Sequence, residues 1–511
     1  MRIFTSAFPI FLWRAMLTSA QFLNNVLPHI EPIVAAISLR GGRSYAVGGA
    51  VRDLILGRKI KDIDIEVHNL TLKELENILL TFGPVSTIGK KFGVLRIHNL
   101  DVDWSIPRHD SLGRKPTVIT DPKMTPAQAC RRRDITINAL MLDLDRVIAR
   151  KDRIYENIRD QSYVAARDLP IIDPYGGIRD IENKTLRAVD PQTFVEDPLR
   201  FYRVMQFIAR FEMHPDDELN QLCATMKLAD PVTKQPLPRE RITEELSKML
   251  LKSKRPSLGL RWIQKIGRLA ECFPELEQTA STPQRIDYHP EGTVLEHCLQ
   301  TLDASARIPI IPERPSDRVL ELEHEKLILM LAALCHDLGK AVCTDEHLHA
   351  YKHEHAGVKI TQDFLNRFSF PQSMIQTVCC MVKHHMEPFK LIKDAKPNAF
   401  KKLAHKIAPQ VTLRMLALLA LCDQQGRNAQ SQEPLRDAGI AEFEQFIAKA
   451  QSAEVFTNPE EPVVKGRDLL DIIKPGPELG KALDAAYQIQ INEDIRDKKD
   501  LIKRILASKR Q

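Results

Sequence analysis

The sequence predicts an α+β protein, in which an N-terminal mixture of strands and helices is followed by helices alone. Strand-like segments occur within residues 25 to 150. From about Asp180 onward apolar residues recur with the period of an α-helix, and strand signals become few. With 511 residues the chain is long enough for about three or four domains, each with its own core.

Individual elements follow from local patterns. The predicted strands are Tyr45–Val47, Ile63–Val67, Val94–Ile97, Val102–Ile106 and a segment near Ala139–Leu144. The Pro-, Lys- and Asp-rich segment Pro107–Ala127 predicts a mobile loop. Arg200–Phe211 and Arg241–Leu251 are predicted helices, and turn-rich breaks at 281–292, near 431–434 and at 456–463 separate the later helical blocks.

Composition narrows the class of protein. The net charge of +6, with acids and bases well mixed, permits an RNA partner. Nine cysteines without a CxxC pair indicate a reduced, cytoplasmic protein with no disulfide framework or zinc ribbon. No run of eighteen apolar residues is present, so no membrane span is expected. Residues 1–24 are predicted to be an N-terminal extension, because Arg14 interrupts their apolar stretch and no cleavage site follows.

The most informative segment, Val47–Val67, reads VGGAVRDLILGRKIKDIDIEV. Asp62 and Asp64 lie in a strand-like alternation, and side chains two residues apart on a strand share a face, with Cα atoms about 6.6 Å apart. Two parallel carboxylates suit paired Mg²⁺ ions, which prefer oxygen ligands and substrate phosphates. Gly48 and Gly49 allow backbone N–H groups to approach a polyphosphate without a Cβ clash. The segment therefore predicts a nucleotidyl-transfer site.

A second cluster, Arg131-Arg132-Arg133-Asp134 followed by Asn138, also favours a nucleotide. Planar guanidinium groups match phosphate oxygens, and an Asp or Asn side chain can bind a ribose hydroxyl. A basic run is also typical of a solvated surface. The residues alone therefore leave both interpretations open.

A third cluster, Asp197 and Arg200, lies at the start of a predicted helix, where residues three apart can face one point. Asp197 followed by Pro198 is also typical of a helix N-cap, and both roles can coexist. A carboxylate acceptor beside a guanidinium donor matches cytosine and adenine, which present an amino donor next to a ring-nitrogen acceptor. Guanine and uracil reverse that order and leave polar groups unpaired. The pair therefore predicts selection of the base.

A histidine-rich block predicts a second site, since eleven of the sixteen histidines lie between 289 and 405. His297, His336-Asp337 and Asp423 occur there in order, on predicted helices. Mixed imidazole and carboxylate ligands suit a transition metal or Mg²⁺, which can activate a bound water as a nucleophile. The block therefore predicts a metal-dependent hydrolytic site.

The first three clusters resemble the motifs of one family. The pattern GGxxRDxxLGxxxxDxD resembles the head of the class II CCA-adding tRNA nucleotidyltransferase and poly(A) polymerase family, within the polymerase-β superfamily. RRDxxxNAL resembles its second motif, and EDxxR resembles its protein template for choosing CTP and ATP. The resemblance implies two Mg²⁺ ions on Asp62 and Asp64. It implies nucleotide contacts from Gly48, Gly49, Arg52, Arg132, Arg133, Asp134, Asn138, Asp197, Arg200 and Arg203.

Two more residues come from looser matches to the same family. Asp103, in VDWSIPR, is either a third metal carboxylate or a structural strand residue. Arg108, in the same segment, is expected to contact the triphosphate.

The histidine block resembles the HD superfamily of metal-dependent phosphohydrolases. The resemblance implies one divalent metal on His297, His336, Asp337 and Asp423, with retention of all four ligands favouring activity. His353 and His385 fit the positions of a second metal, although the neighbouring histidines His355 and His384 leave the register open.

The resemblance implies an order of domains along the chain. A polymerase-β-like nucleotidyltransferase head with a mixed sheet, 25–165, is followed by an all-α neck and body for base selection and RNA binding, 166–280. The remaining domains are an α-helical HD domain, 285–430, and a helical tRNA-binding tail, 431–511. The implied activity is addition of CCA to tRNA with CTP and ATP. The alternatives are a poly(A) polymerase, a CC- or A-adding enzyme, and an HD phosphohydrolase whose head only binds RNA.

Overall fold

A computed structural model describes residues 26–60, 62–88, 93–110, 118–151, 169–309, 319–392 and 395–508. The predicted extension, 1–24, lies outside these residues. The chain divides into two compact units, one ending at Pro238 and the other beginning at Arg239. This division falls within the segment predicted as the neck, and the predicted domain bounds remain predictions.

The first unit contains all strands assigned within the described residues. They are β1 (Arg43–Val47), β2 (Ile63–His68), β3 (Val85–Ile88), β4 (Val94–Ile97), β5 (Val102–Ser105), β6 (Arg108–Asp110), β7 (Val118–Thr120), β8 (Met141–Asp143), β9 (Ile171–Ile172), β10 (Thr185–Leu186) and β11 (His214–Pro215). Its helices are α1 (Leu27–Leu39), α2 (Gly49–Ile55), α3 (Leu72–Leu79), α4 (Pro126–Arg131), α5 (Leu144–Ala149), α6 (Gly177–Glu182), α7 (Pro191–Phe194), α8 (Leu199–Phe211) and α9 (Asp217–Thr225).

Seven strands form one mixed sheet in the order β3–β4–β5–β2–β1–β8–β9. Strands β2 and β5 are parallel, and the other neighbours are antiparallel. On β2 the side chains of Ile63, Ile65 and Val67 are buried in the core, as the alternation in the sequence predicts. The α+β fold class is confirmed, and the five predicted strands correspond to β1, β2, β4, β5 and β8.

The prediction of a loop over Pro107–Ala127 is wrong in part. Strands β6 and β7 pair antiparallel, with His109 opposite Ile119, and α4 begins at Pro126. These strands are only three residues long and carry little apolar alternation, so the prolines dominated the sequence signal. Arg108 begins β6 and is half-buried; its contact with a triphosphate remains a prediction.

The second unit is helical within the described residues. Its helices are α10 (Arg239–Lys252), α11 (Ser257–Lys265), α12 (Leu269–Cys272), α13 (Pro274–Ala280), α14 (Val294–Arg307), α15 (Val319–Cys335), α16 (Lys340–Cys343), α17 (His353–Asn366), α18 (Gln372–His384), α19 (Glu387–Leu391), α20 (Pro397–Ile407), α21 (Leu413–Gln425), α22 (Ile440–Ser452), α23 (Pro477–Glu493) and α24 (Lys498–Ser508). In the described ranges, none of the helices has the length and apolar character needed to cross a bilayer.

Close helix packing positions the histidine block. Helices α14, α15, α17, α18 and α21 pack against one another. A Cβ on Gly339 would lie 2.1 Å from the carbonyl oxygen of His353, so only glycine permits this approach of the α15–α16 turn to α17. Further along the chain, the tail helices α23 and α24 enclose a separate apolar cluster that includes Leu469, Ala486 and Leu501.

Candidate nucleotide and metal sites

Three acidic side chains lie together on one face of the mixed sheet. Asp64 on β2 is in register with Asp103 on β5, and Asp62 directly precedes β2. Asp62 and Asp64 are exposed while the intervening Ile63 is buried, so both carboxylates leave the sheet on the same side. The structure thus brings the three predicted carboxylates to one place.

Negative charge accumulates at this face. Partial desolvation raises the pKa of Asp64, and Asp103 and Asp62 add to the rise while Arg133 opposes it. Asp103 also accepts a hydrogen bond of 2.6 Å from Nε of Arg96, which is a structural role alongside any metal-binding one. Carboxylates this close repel one another, and a cation among them would relieve the repulsion. The oxygen donors therefore fit Mg²⁺, which binds through carboxylates and substrate phosphates.

Gly48 and Arg133 adjoin these carboxylates. Gly48 has φ of 68°, a left-handed conformation that favours glycine, and a Cβ there would lie 3.2 Å from Nη1 of Arg133. The backbone N–H of Arg133 donates to the carbonyl of Cys130, but its half-buried side chain makes no hydrogen bond or ion pair with the described residues. Its donors therefore remain available, and a planar guanidinium is well matched to phosphate oxygens.

Arg132 lies near a carboxylate that sequence analysis missed. Nη2 of Arg132 is 3.5 Å from Oε2 of the buried Glu66, whose Oε1 lies 3.1 Å from Nε2 of His68. Burial would raise the pKa of Glu66, but His68, Arg133 and Arg132 lower it to about 2. The alternation of β2, which puts Glu66 on the face of Asp64, was the signal that could have identified it.

Arg52 is buried, with an exposed fraction of 4%. Its Nε donates to Oδ1 of Asp53 at 2.9 Å and its Nη1 donates to Asn138. The guanidinium carbon lies 4.5 Å from the ring centroid of Phe211 on α8. Burial lowers the pKa of Arg52, while Asp53 opposes the shift. These contacts give Arg52 a positioning role between α2 and α8, and its predicted contact with the nucleotide remains untested.

Asp134 continues the same network. Nδ2 of Asn138 donates to Oδ1 of Asp134 at 2.9 Å, and Nε of Arg203 donates to Oδ2 at 2.7 Å. Burial would raise the pKa of Asp134, but Arg203 and Asn138 lower it below its usual value. Both carboxylate oxygens thus have protein donors, and they join the RRD segment to α8.

Asp197 and Arg200 lie at the start of α8. Pro198 occupies the N-cap position of α8, and Oδ1 of Asp197 accepts a hydrogen bond of 3.1 Å from the backbone N–H of Leu199, so Asp197 helps to cap the start of the helix. Nη1 and Nη2 of Arg200 donate to the carbonyls of Thr193 and Arg132 at 2.8 and 2.6 Å. These bonds fix the guanidinium beside the RRD segment, and base selection remains a prediction.

The second unit contains two adjacent groups of buried side chains that could hold a metal ion. Within each group the ligand atoms lie within 4.8 Å of one another, and the groups are His297, His336 and Asp423, and Asp337, His353 and His385. His297 Nε2 is 3.2 Å from His336 Nε2 and 3.3 Å from Asp423 Oδ1. The structure therefore assembles all six histidine-block residues predicted as ligands.

Asp337 connects the two groups. Its Oδ2 lies 3.4 Å from Nε2 of His336, and its Oδ1 lies 3.2 and 3.6 Å from Nε2 of His353 and His385. Burial would raise the pKa of Asp337, but Lys340 and the histidines hold it well below the usual value. The two carboxylate oxygens therefore face both groups and would help to hold a divalent cation in each.

The Nδ1 contacts of four histidines suit a bound metal. Nδ1 of His336, His353 and His385 lies 2.9, 2.8 and 2.7 Å from a backbone carbonyl, and Nδ1 of His297 lies 3.1 Å from another. Where Nδ1 donates to its carbonyl, the converging Nε2 keeps a lone pair that would bind a cation. Oδ1 of Asp337 is also buried without a hydrogen bond. Imidazole with carboxylate suits a transition metal or Mg²⁺.

The neighbouring histidines do not join these groups. The side chain of His355 is 60% exposed, and its Nδ1 lies 3.5 Å from Glu354. His384 is buried elsewhere, and burial lowers its pKa to about 4. The structure thus selects His353 and His385 at the positions the sequence left open.

A cavity of about 300 Å³ reaches both groups and has cations that sequence analysis missed. Nζ of Lys340 lies 2.7 Å from Oδ2 of Asp337, and Nη2 of Arg427 donates to Oδ1 of Asp423 at 2.7 Å. Each cation follows its carboxylate by about one helical turn, which was an available signal. These groups can bind an anionic substrate beside the metal ligands.

Two family models match the chain. Residues 44–187 match the poly(A) polymerase head domain, and residues 294–419 match the HD domain. These matches define the class: a nucleotidyltransferase head followed by an HD domain.

Similarity to curated proteins identifies the family. The multifunctional CCA protein of Mannheimia succiniciproducens is 30% identical over 406 residues, covering 77% of this chain and 87% of that protein. The multifunctional CCA protein of Xanthomonas campestris pv. campestris is 30% identical over 450 residues, covering 86% and 96%. The chain belongs to the multifunctional CCA protein family.

Solved structures share the fold. The Bacillus stearothermophilus CCA-adding enzyme in complex with CTP aligns with a TM-score of 0.58 and 19% identity, over 94% of this chain and 97% of that chain. The Thermotoga maritima CCA-adding enzyme complexed with tRNA aligns with a TM-score of 0.52 and 18% identity, over 96% and 98%. These likenesses support the predicted architecture of a nucleotidyltransferase head followed by helices.

Proposed function

We propose that this chain adds CCA to tRNA 3′ ends with CTP and ATP, releasing pyrophosphate, and that its HD domain hydrolyses phosphoesters. The observation that carries the first activity is the carboxylate face of Asp62, Asp64 and Asp103 beside the available guanidinium of Arg133. The names of the curated relatives, and the CTP and tRNA bound to similar enzymes, support the same substrates.

The transfer step follows from this face. Asp62 and Asp64 would hold two Mg²⁺ ions, which activate an RNA 3′-hydroxyl and neutralise departing pyrophosphate when bound. Arg133 and Arg132 donate to the triphosphate, and Gly48 leaves room for its oxygens. The 3′-hydroxyl loses its proton to solvent, its oxygen bonds to the α-phosphorus as the bond to pyrophosphate breaks, and no covalent enzyme intermediate forms.

The test is incorporation into tRNA that lacks its terminal CCA. We expect CTP alone to add two residues, ATP alone to add none, and both together to complete CCA. A poly(A) polymerase is the second candidate, because the head matches that family model. Long A tails on generic RNA would favour it over our proposal, and arrest after CC with both nucleotides would indicate a CC-adding enzyme.

Base selection gives a separate prediction at Asp197. We expect Asp197→Ala to lower kcat/KM for CTP and ATP by about 10- to 100-fold, because a hydrogen bond to a charged group contributes about 1.5–3 kcal/mol. Discrimination against GTP and UTP should weaken as well. The measurement is kcat/KM for each of the four nucleotides with one tRNA.

A matched variant separates recognition from helix capping. Asp216 caps α9 through a 2.8 Å hydrogen bond from Leu219, and Asp216→Ala removes a cap without touching α8. Both variants should lose similar thermal stability, but only Asp197→Ala should change nucleotide choice. Unchanged nucleotide selectivity in Asp197→Ala would mean that Asp197 caps the helix and does not select the base.

The HD activity rests on the six converging ligands. A divalent ion there would supply an activated water and would polarise a phosphoryl oxygen. Lys340 and Arg427 would bind the phosphate, because both line the cavity above the ligands. We also propose that the enzyme works in the cytoplasm, in agreement with nine free cysteines and a tRNA substrate.

A further inference from the structure

A buried carboxylate–imidazole pair lies next to the RRD segment, and the proposed transfer step gives it no role. Glu66 and His68 are only 1% and 3% exposed, and they leave β2 on the same side because they are two residues apart. Oε1 of Glu66 lies 3.1 Å from Nε2 of His68. A buried charge is costly unless it is paired and hydrogen-bonded, so the contacts around this pair indicate what it supports.

The pair contacts both ends of helix α4, which leads directly into the RRD segment. At the beginning of α4, Nδ1 of His68 lies 2.9 Å from the backbone carbonyl of Met124 and donates to it, since a carbonyl only accepts. At the end of α4, Oε2 of Glu66 lies 3.5 Å from Nη2 of the C-cap residue Arg132. Two side chains of β2 therefore fix α4 relative to the strand that carries Asp64.

The carboxylate of Glu66 faces several cations. Burial alone would raise the pKa of Glu66, yet His68, Arg133 and Arg132 lower it to about 2. The imidazole of His68 is ordered in turn by the ring of Tyr45, which meets it edge-on with a centroid distance of 5.0 Å and an interplanar angle of 80°. A fixed anion thus constrains the guanidinium of Arg132.

Arg132 is held from two directions and still reaches the surface. Its backbone carbonyl accepts a hydrogen bond of 2.6 Å from Nη2 of Arg200, and its guanidinium faces Glu66. Its side chain remains 27% exposed, so part of it is accessible to a ligand. The backbone and the guanidinium are therefore positioned by different elements, α8 and β2.

We propose that Glu66 and His68 are positioning residues for nucleotide addition, which orient the guanidinium of Arg132 toward the triphosphate of CTP or ATP. They act through Arg132 and contact neither the nucleotide nor the metal ions. This inference rests on the proposed nucleotidyl transfer. Because Arg132 binds the triphosphate before and during transfer alike, loss of its support raises KM and leaves kcat nearly unchanged.

The test is a double-mutant cycle on the full-length chain, read as KM and kcat for CTP with tRNA lacking CCA. We expect Glu66→Ala to raise KM about tenfold with little change in kcat, in the range of one lost hydrogen bond to a charged group. Arg132→Ala should raise KM at least as much, and the double variant no further than Arg132→Ala alone. Glu66→Gln keeps an acceptor for Arg132 and should restore most of the affinity.

A matched variant separates positioning from a general loss of stability. Asp143 is a buried carboxylate of the same sheet, paired with Arg43 at 2.9 Å, so Asp143→Ala should also lower the melting temperature. It should leave KM for CTP unchanged, because Asp143 does not contact Arg132. All variants are compared below the lowest of their melting temperatures, where each chain is folded.

Two results would overturn the positioning role while leaving the nucleotidyltransferase intact. One is an unchanged KM in Glu66→Ala. The other is a double variant whose KM rises by the product of the two single effects, because independent residues behave in that way. No incorporation of CTP by the wild type would overturn the proposed function and this inference together.

Discussion

Asp64→Asn is expected to lower nucleotide addition to tRNA by about 10³-fold or more. Asparagine keeps the shape of the side chain but cannot neutralise a divalent cation. Metal ions supply several kcal/mol of transition-state stabilisation in phosphoryl transfer, and a loss of about 4 kcal/mol corresponds to about 10³-fold in rate. The measurement is the rate of labelled CTP incorporation into tRNA lacking CCA, at saturating Mg²⁺.

A nearby carboxylate provides the control. Asp101 lies 3.2 Å from Nη1 of Arg96, the arginine that also binds Asp103, but its side chain is 78% exposed. Asp101→Asn should therefore leave addition unchanged, and Asp64→Asn should leave phosphoester hydrolysis unchanged. Normal addition in Asp64→Asn would contradict the proposed role of the carboxylate face. It would favour an HD phosphohydrolase whose head only binds RNA.

The alternation of apolar and polar residues was sufficient to predict that Asp62 and Asp64 share one face of β2. Side chains along β2 alternate between the two faces of the sheet. Because Ile63 and Ile65 are buried on one face, Asp64 must point from the other. The partner strand was also predicted, although the sequence did not give its register. That register places Asp103 opposite Asp64.

Motif spacing did not predict how the arginines are used. Arg52 and Arg133 were both predicted to contact the nucleotide, yet Arg52 is enclosed by Asp53, Asn138 and Phe211. Phe211 lies on α8, far from Arg52 in sequence, and only tertiary packing brings the two side chains together. A sequence motif identifies the guanidinium, whereas burial and the available partners determine where it points.

The histidine block shows the same division between local pattern and packing. The order His…His-Asp…Asp predicted a ligand group. The sequence could not decide between His353 and His355, because they are near neighbours on one helix. The packing of α17 against α18 turns His353 toward His385, and it leaves His355 in solvent. The close approach at Gly339 helps to set this geometry, and the sequence does not reveal it.

Asp337→Asn is expected to have the second large effect, because this carboxylate is shared by both ligand groups. The substitution removes the negative charge common to both, and it leaves Lys340 without its ion-pair partner. We expect phosphoester hydrolysis to fall about 10³-fold, by the same loss of metal-derived stabilisation. Metal retained after dialysis should fall as well, whereas CCA addition should be unchanged.

Two further variants separate metal loss from general destabilisation. Asp345→Asn changes a half-exposed carboxylate of the same unit and should keep both metal and hydrolysis. His385→Gln removes a ligand only from the second group, so it should lower the retained metal by one ion per chain while His297, His336 and Asp423 keep the other. Full metal retention and hydrolysis in Asp337→Asn would contradict a shared ligand. A loss of all metal in His385→Gln would instead mean that the two groups bind their ions only together. Asp337, which contacts both groups, would then require both ions to be held in place.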